Sequence, residues 1–230
     1  MPQEWEASPR RLFDVLGADA VRAVGGCVRD ALLKLPVKDI DFATTLSPDI
    51  VTARLETAGI AVKPTGLAHG TVTAILKGQG YEITTLRRDV ATDGRRAVVA
   101  YTTDWAEDAQ RRDFTVNALY ADDKGVIYDE TGDGLSDLAA KRLRFIGDAD
   151  ARIREDYLRI LRLFRFVAQF PDFTADEEAV AGSARQKDGL SQLSAERVTE
   201  EWLKLLRSPG AARALALMAP AGIGGVYHLA

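Results

Sequence analysis

Two aspartates, Asp39 and Asp41, stand one residue apart in the stretch DIDF, where they alternate with Ile40 and Phe42. In a strand, residues i and i+2 share a face, so both carboxylates would point one way and both apolar side chains toward the core. Like charges side by side are costly unless a cation lies between them. Mg²⁺ prefers a few carboxylates together with water and phosphate oxygens, so the stretch predicts a magnesium site. A solvated strand face is the alternative interpretation.

A third carboxylate would complete a two-metal site, and Glu82 is the best candidate for it. The stretch YEITTL predicts a strand in which Glu82 alternates with Tyr81 and Ile83. Its carboxylate is therefore expected on the polar face of that strand.

A glycine pair, Gly25 and Gly26, separates a predicted strand (Val21 to Val24) from a helix that covers Val28 to Leu33. Backbone N–H groups and the helix dipole would face this turn and favour an anion. The pair matches neither GxxxxGK(S/T) nor GxGxxG, so a plain structural turn is the alternative. Arg29, one turn into the helix, can add a charged fork to the same anion or form a surface salt bridge.

The stretch RRDFTVNALY predicts a helix from Asp113 to Tyr120. Asp113 is an adequate N-cap for that helix. Arg111 and Arg112 precede it and Asn117 follows one turn later, a grouping that also suits phosphate and ribose contacts.

A third cluster lies in EDYLRILRLFRFV, within a long segment that predicts one continuous helix, RIREDYLRILRLFRFVAQF. The helix is apolar nearly all round and should be buried, yet three arginines recur along it at every third residue. Buried arginines need anionic partners. Asp156 precedes Arg159 by one turn and can hold its guanidinium in a fixed pose. Arg162 and Arg165 are left for another anion, which a ligand with several phosphates would supply.

Composition narrows the function classes. The chain has 230 residues, 47% of them hydrophobic and 28% charged, with a net charge of -4, which excludes a protein that is basic all over. One cysteine and two histidines form neither an internal disulfide nor a His/Cys zinc site, so any metal would be held by oxygen. The N-terminal residues lack the apolar core of a signal peptide, and no stretch approaches about 20 apolar residues. We therefore expect a cytoplasmic protein that does not span a membrane.

The secondary-structure pattern changes about two-thirds of the way along the chain. Up to about Gly147, short β-rich runs alternate with helical stretches such as Asp49 to Ala58. Beyond Asp148 the strand signals vanish and periodic helical segments follow. This predicts an α/β part over residues 1–147 and an all-helical part over residues 148–230.

Taken together, these motifs resemble the class II tRNA nucleotidyltransferase and poly(A) polymerase family of the polymerase β superfamily. The resemblance rests on GGCVRDALL...DIDFAT, HGTVTA, EITTLRRDVATDGRRA, RRDFTVNAL, RIREDYLRILRLFRF and LSAERVTEEWLKLL, in the order of the family. It implies an α+β fold: a polymerase-β-like nucleotidyltransferase head, with a mixed sheet and flanking helices, followed by a helical neck. Family members usually continue into body and tail regions, so we expect a head-and-neck fragment or a shortened relative.

The resemblance also implies an activity and a set of site residues. The activity is Mg²⁺-dependent transfer of CMP and AMP from CTP and ATP to the 3′ end of tRNA, without a nucleic-acid template. The metals would be held by Asp39 and Asp41, with Glu82 as the third carboxylate in catalysis. Nucleotide contacts would come from Gly26 and Arg29 at the triphosphate and from Arg112 and Asp113 in the ribose region. Gly25, Asn117 and four residues of the neck would complete the nucleotide site. In the neck, Asp156 and Arg159 would read the base edge, while Arg162 and Arg165 would add phosphate or base-side contacts.

The stretch DVATDGRRAVVAYT resembles the flexible loop of relatives that complete CCA, and CC-only relatives usually lack part of it. Deleting Thr92 to Arg96 is therefore expected to spare the addition of C and suppress that of A. A poly(A) polymerase and a partial, CC- or A-adding enzyme are close alternatives. A non-catalytic nucleotide- or RNA-binding module is the distant one.

Overall fold

The computed structural model describes residues 7–63, 70–92 and 97–224. The chain divides into two compact units, of which the first comprises residues 1–112 and 117–134. The second comprises residues 113–116 and 135–230. The predicted functional division after residue 147 stays a prediction. The proposed deletion of Thr92 to Arg96 falls largely on residues 93–96, which lie outside the described part of the chain.

The first unit is built on a seven-stranded mixed sheet in the order β3-β4-β5-β2-β1-β8-β9. Within it β2 and β5 run parallel, whereas the other neighbouring strands are antiparallel. The sheet strands are β1 (Val21–Val24), β2 (Phe42–Thr44), β3 (Ala61–Lys63), β4 (Thr71–Leu76), β5 (Gln79–Thr85), β8 (Leu119–Ala121) and β9 (Ile127–Asp129). A separate antiparallel hairpin consists of β6 (Arg87–Thr92) and β7 (Ala97–Tyr101).

The helices described in this unit are α1 (Ala7–Leu16), α2 (Gly26–Leu32), α3 (Pro48–Thr57) and α4 (Trp105–Gln110). The helix predicted over Asp49 to Ala58 is confirmed as α3, in which Pro48 occupies the first turn, where its missing N–H costs nothing. In the core, Phe13 of α1 packs edge-on against Phe42 of β2, with ring centroids 5.4 Å apart. The core thus holds β2 in place from one face of the sheet.

The strand predicted over Asp39 to Phe42 begins only at Phe42, so the prediction was wrong for its first three residues. The predicted alternation is nevertheless present. Ile40 and Phe42 are buried, whereas Asp39 and Asp41 are exposed. Residues 39–41 are not paired as a strand, but the Val24 N–H donates to the Asp41 carbonyl at 2.9 Å. Burial of the apolar side chains thus orients the two carboxylates without ladder pairing.

The second unit is mainly helical. Its helices are α5 (Gly134–Ala139), which begins at the last residue of the first unit, and α6 (Ala149–Glu155), α7 (Leu158–Gln169), α8 (Glu177–Gln186), α9 (Ala195–Leu206) and α10 (Ala211–Met218). Two short strands, β10 (Arg142–Leu143) and β11 (Thr174–Ala175), pair in parallel, so the prediction that strands end before residue 148 was wrong. The predicted α+β fold, with a mixed sheet followed by helices, is confirmed.

The long helix predicted from the EDYLRILRLFRFV region is two helices, α6 and α7, separated by Asp156 and Tyr157. Asp156 has φ -155° and ψ 103°, an extended conformation that no helix accommodates. Its carboxylate accepts a hydrogen bond from the Leu158 N–H at 3.1 Å. An aspartate that satisfies a backbone N–H of the first turn starts a new helix here instead of continuing the previous one.

The helix predicted from Asp113 to Tyr120 is also wrong. Only Thr115–Asn117 form a 3₁₀ turn, and the chain then enters β8. The cause is tertiary. Buried Asp137 accepts a hydrogen bond from the Thr115 hydroxyl at 2.7 Å, and the Thr115 N–H donates to the Arg144 carbonyl at 3.1 Å. These contacts hold the backbone in a non-helical path.

Within the described residues, every helix is too short or too polar to cross a lipid bilayer.

Candidate functional site

The carboxylates of the first unit meet on one face of the sheet. β2 and β5 run parallel with Phe42 opposite Ile83, so the residues before them, Asp41 and Glu82, lie side by side. Phe42 and Ile83 are buried, and alternation puts the two carboxylates on the opposite, exposed face, as predicted for Glu82.

The electrostatics of Asp41 indicate an incompletely neutralised cluster. Its pKa is raised, first by loss of hydration around the carboxyl group and then by the negative charges of Glu82 and Asp39. The positive charge of Arg112 acts in the opposite direction and only partly offsets them. A divalent cation would relieve this repulsion, as the alternation in the sequence suggested.

The donor set fits a magnesium ion that the protein holds only in part. Among residues 7–63, 70–92 and 97–224, no three His, Cys, Asp or Glu side chains form a group able to hold a metal ion. Magnesium, however, usually takes one or two carboxylates and completes its shell with water and substrate phosphates. Asp39 and Asp41, both exposed and both hard oxygen donors, meet that requirement.

The glycine turn lies at the start of α2. Gly25 has φ 77°, a conformation that side chains other than glycine rarely adopt. A Cβ at Gly25 would lie 3.5 Å from the Asn117 carbonyl oxygen and 3.6 Å from Nη1 of Arg112. The turn therefore brings three of the predicted nucleotide contacts into one place within the first unit.

Arg29 is not a surface residue, because only 4% of it is exposed. Its Nη1 donates to Asn117 Oδ1 at 2.6 Å, and its Nε donates to Asp30 Oδ1 at 2.8 Å. The alternative of a surface salt bridge is wrong in its location, although the ion pair with Asp30 exists. Arg29 joins α2 to the segment before β8 and so stiffens the glycine turn.

Arg112 is held by two residues that the sequence analysis did not single out, Asp108 and Tyr120. Its Nη2 lies 2.9 Å from Asp108 Oδ2, which also accepts a hydrogen bond from the Tyr120 hydroxyl at 2.9 Å. Burial would lower the pKa of Arg112, but Tyr120 and Asp108 outweigh it and raise the pKa. The i, i+4 spacing of Asp108 and Arg112 was a usable signal for this pair.

In the second unit, Asp113 and Arg162 are partners. The Arg162 Nε lies 2.8 Å from Asp113 Oδ2, and its Nη2 donates to the same oxygen. The other oxygen, Oδ1, accepts from the Phe114 N–H at 2.8 Å. The predicted role as N-cap of a helix from Asp113 to Tyr120 was wrong, because that helix does not form. Burial lowers the pKa of Arg162, but the Asp113 charge more than offsets this and the pKa is raised.

Arg165 also has an anionic partner within the protein, contrary to the interpretation that it is left for a ligand. Its Nε lies 2.6 Å from Oε2 of Glu201, a carboxylate on α9 that is only 4% exposed. Lys204 lies 3.4 Å from the other oxygen of Glu201. Glu201 was missed because it lies 36 residues away from Arg165 in sequence.

Asp156 and Arg159 have different carboxylate and cation partners from those predicted. Glu155 is the carboxylate that pairs with Arg159, at 2.6 Å from Nη1, which also donates to the Arg152 carbonyl. The Asp156 Oδ2 accepts from Arg197 Nη2 on α9 at 2.8 Å. The break between α6 and α7 explains the difference, because the two residues no longer face each other across one helical turn.

Cys27 does not supply a nucleophile. Burial raises the pKa of its thiol to about 11, and the thiol donates to the Val24 carbonyl at 3.3 Å.

Comparison with known families decides the relationship. Residues 21–144 match the model of the poly A polymerase head domain, and residues 172–224 match that of a probable RNA- and SrmB-binding site of polymerase A. The chain belongs to the poly A polymerase head-domain family. The resemblance predicted from the sequence motifs is thereby confirmed.

Members of this family with known names are close in sequence and structure. The human mitochondrial CCA tRNA nucleotidyltransferase 1 is 45% identical over 189 residues, which cover 81% of this chain and 43% of that protein. The CCA-adding enzyme of Geobacillus thermodenitrificans is 40% identical over 205 residues, 87% of this chain and 48% of the relative. The Bacillus stearothermophilus CCA-adding enzyme in complex with CTP superimposes with a TM-score of 0.87 and 35% identity, covering 97% of this chain and 53% of the other. This chain thus spans about half the length of the curated relatives it matches.

Proposed function

We propose that the chain adds CMP and AMP from CTP and ATP to the 3′ end of tRNA, without a nucleic-acid template. The observation that carries the proposal is the carboxylate cluster of Asp39, Asp41 and Glu82 on the exposed face of β2 and β5. Loss of hydration and then the neighbouring negative charges raise the pKa of Asp41 there. Membership of the family supports it, as do relatives named CCA-adding enzymes and a solved relative complexed with a primer tRNA and an ATP analogue.

Mg²⁺ is the proposed metal, held by Asp39 and Asp41, with Glu82 as the third carboxylate of the site. Bound there, it would lower the pKa of the attacking 3′ hydroxyl and neutralise phosphate charge. The three carboxylates concentrate negative charge on one face of the sheet. This charge would hold the cation close to the place where the phosphates of the substrate bind.

Arg112 is proposed to donate to the phosphate or ribose of the incoming nucleotide. Asp108 and Tyr120 hold part of its guanidinium, while Nη1 lies beside the glycine turn, 3.6 Å from the position of a Cβ at Gly25. A guanidinium that is already oriented loses little conformational entropy when it binds an anion. Gly25, Gly26, Arg29 and Asn117 are proposed to shape the turn that receives the triphosphate.

The second unit is proposed to select the base. Asp156 and Arg159 would offer acceptors and donors to the Watson-Crick edges of C and A. Arg162, Arg165 and Asp113 would contribute contacts to phosphate, ribose or the side of the base. In each case the ligand would share a group that already has a protein partner.

The test uses a tRNA transcript that lacks CCA, with Mg²⁺ and each NTP added separately and together, followed by sequencing of the 3′ end. We expect products that end in CCA when CTP and ATP are both present. Asp41→Asn should abolish this activity. Asp14→Asn is the control variant, because Asp14 is an exposed carboxylate on α1 in the same unit. Equal loss of activity in both variants would contradict the assignment of Asp41.

The same experiment separates the alternatives. A poly(A) polymerase would extend RNA with many A residues, and a partial enzyme would stop after CC or add only the terminal A. No pyrophosphate release with any NTP would favour a binding module. A cytoplasmic location stays a prediction of this proposal.

A further inference from the structure

A polar pocket of about 470 Å³ lies in the first unit, and none of the predicted site residues lines it. Thr45, Ser47 and Thr85 contribute from the carboxyl ends of β2 and β5, and Arg88 and Tyr101 from the base of the β6–β7 hairpin. Its volume falls in the range of small-ligand sites, which extends from roughly 300 to 1,000 Å³. Most of the residues that line it carry a hydroxyl group.

Tyr101 presents an aromatic ring to this pocket. Its ring packs directly on Gly70, where a Cβ would lie only 2.7 Å from Cε1 of the tyrosine. The Gly70 carbonyl is itself fixed by the Thr85 N–H at 2.9 Å. With 49% of Tyr101 exposed, a large part of its side chain remains available for contact. A flat ring that is packed on one side and half-exposed on the other is the kind of surface on which nucleic-acid bases stack.

The charged groups of the pocket suit the sugar-phosphate part of the same ligand. Arg88 is largely exposed, and its Nη1 is 3.9 Å from Glu107, a distance that leaves the guanidinium able to approach a phosphate. Glu107 accepts a hydrogen bond from the Thr102 hydroxyl, and it has capacity to accept another from a ribose hydroxyl. Asp104 is already engaged in capping α4 through the Ala106 N–H at 2.8 Å, so its charge is partly satisfied.

The pocket lies a short distance along the same strands that carry the carboxylates. Glu82 and Thr85 are both in β5 and roughly 10 Å apart along it, with their side chains on opposite faces of the strand, so the pocket lies beyond the end of the carboxylate face. Asp41 directly precedes β2, and Thr45 directly follows it. A chain of nucleotides whose 3′ end lies at the carboxylates can therefore place a preceding nucleotide in the pocket.

We propose that this pocket binds one nucleotide of the RNA substrate upstream of its reacting 3′ end, with its base on Tyr101, its phosphate at Arg88 and its 2′ hydroxyl at Glu107. The inference rests on the proposed function and deepens it, since it names a holding site for the RNA that is separate from the residues assigned to the incoming nucleotide.

Tyr101→Ala in the full chain tests the role of this ring. With a tRNA transcript lacking CCA, we expect the KM for RNA to rise about tenfold, because base-aromatic stacking is lost. The KM for CTP should stay within about twofold, since the incoming nucleotide is bound elsewhere. Tyr101→Phe retains the ring and should behave like the parent. Val126→Ala, at an apolar position with 50% exposure in the same unit, is the matched control.

A cross-linking measurement gives a readout independent of turnover. RNA carrying 4-thiouridine at one of its last three positions should cross-link to the parent through Tyr101 at one of them, and not to Tyr101→Ala. If the parent adds no nucleotide, the proposed function fails, and the cross-link alone then decides whether the pocket holds RNA. If the parent is active and Tyr101→Ala changes neither the KM for RNA nor the cross-link, the pocket is not an RNA site and the inference is overturned.

Discussion

Arg162 and Asp113 form a forked ion pair in the second unit, with Nε of the arginine 2.8 Å from Oδ2 of the aspartate. The two residues are 49 positions apart in sequence, and each belongs to a different motif of the predicted nucleotide site. Each is thus the other's partner as well as a proposed ligand contact. A nucleotide that engages Arg162 must do so while that arginine remains tied to Asp113.

This pairing predicts strong coupling between the two side chains. Asp113→Ala and Arg162→Ala should each lower kcat/KM for NTP addition, and the double variant should be little worse than either single one. The reason is that the first substitution already removes the geometry on which the other residue depends, with a coupling of about 1–3 kcal/mol. The measurement is a double-mutant cycle on kcat/KM, with Arg185→Ala, another ion-paired arginine of the second unit, as the control. Additive effects would show that the two residues act separately.

Asp41 predicts a pH-dependent cost in stability. Its pKa is raised in the folded protein, so between the ordinary pKa of an aspartate and the raised value the native state binds more protons than the unfolded state. The free energy of unfolding therefore falls as pH rises from the ordinary pKa of an aspartate to the raised pKa of Asp41. Asp41→Asn should match the parent below this pH range and be more stable above it, as followed by urea unfolding from pH 3 to pH 8. The same variant should be inactive in nucleotide addition. A parent that is the more stable of the two at neutral pH would contradict the electrostatic account of the cluster.

Asp108 predicts an effect transmitted through Arg112. It is only 5% exposed and accepts hydrogen bonds from Arg112 and Tyr120. Asp108→Asn should cost about 2 kcal/mol of stability, because a charge-assisted hydrogen bond is lost. It should also raise the KM for NTP more than it lowers kcat.

Tyr120→Phe separates positioning from stability at this site. It removes the hydrogen bond that the hydroxyl donates to Asp108 and the one that it accepts from Arg112 Nε, but it leaves the ion pair between Asp108 and Arg112. We therefore expect a small loss of stability and a smaller rise in the KM for NTP than Asp108→Asn causes. The contrary outcome is that Asp108→Asn and Tyr120→Phe change thermal stability and the KM for NTP in proportion, and that both lower kcat to the same extent. That result would indicate a purely structural role for Asp108.

Local patterns predicted the parts of the site that depend on neighbouring residues. The alternation around Asp41 and Glu82 follows from burial of apolar side chains, and the glycine turn follows from the conformation that Gly25 must adopt. These features need no knowledge of distant contacts, which is why the sequence was sufficient for them.

Features that depend on distant partners were not predictable in the same way. The helix expected at Asp113 gives way to a turn because Asp137 binds Thr115 from 22 residues away, and Glu201 neutralises Arg165 from another helix. The break before α7 had a local signal, since Asp156 favours helix starts, but the apolar periodicity on both sides masked it. Periodicity describes which residues are buried and does not show where one helix ends and the next begins.

The last prediction concerns base selection and uses the partners that the structure assigns to Asp156 and Arg159. If Arg159 reads the base edge, Glu155 sets its pose through the 2.6 Å ion pair, and Glu155→Ala should relax selectivity although Glu155 itself touches no base. A site that hydrogen-bonds a particular base leaves its own groups unpaired with the wrong one, at about 1–3 kcal/mol per group. We therefore expect Glu155→Ala to raise incorporation of U or G relative to C and A.

Asp156 needs a variant pair, because it both caps α7 and pairs with Arg197. Asp156→Asn keeps an acceptor for the Leu158 N–H and loses the charge, whereas Asp156→Ala loses both and should also cost about 1 kcal/mol of stability. If Asp156 reads the base, both variants should raise misincorporation of U or G, as measured by kcat/KM for each of the four NTPs. If both variants slow all four NTPs equally and Glu155→Ala does the same, the two residues hold the neck helices in place and do not select the base. Arg197→Ala completes the test, because it removes the partner of the Asp156 carboxylate and leaves the carboxylate itself in place. A change in base selectivity in this variant would mean that the orientation of Asp156, in addition to its presence, governs which base is accepted.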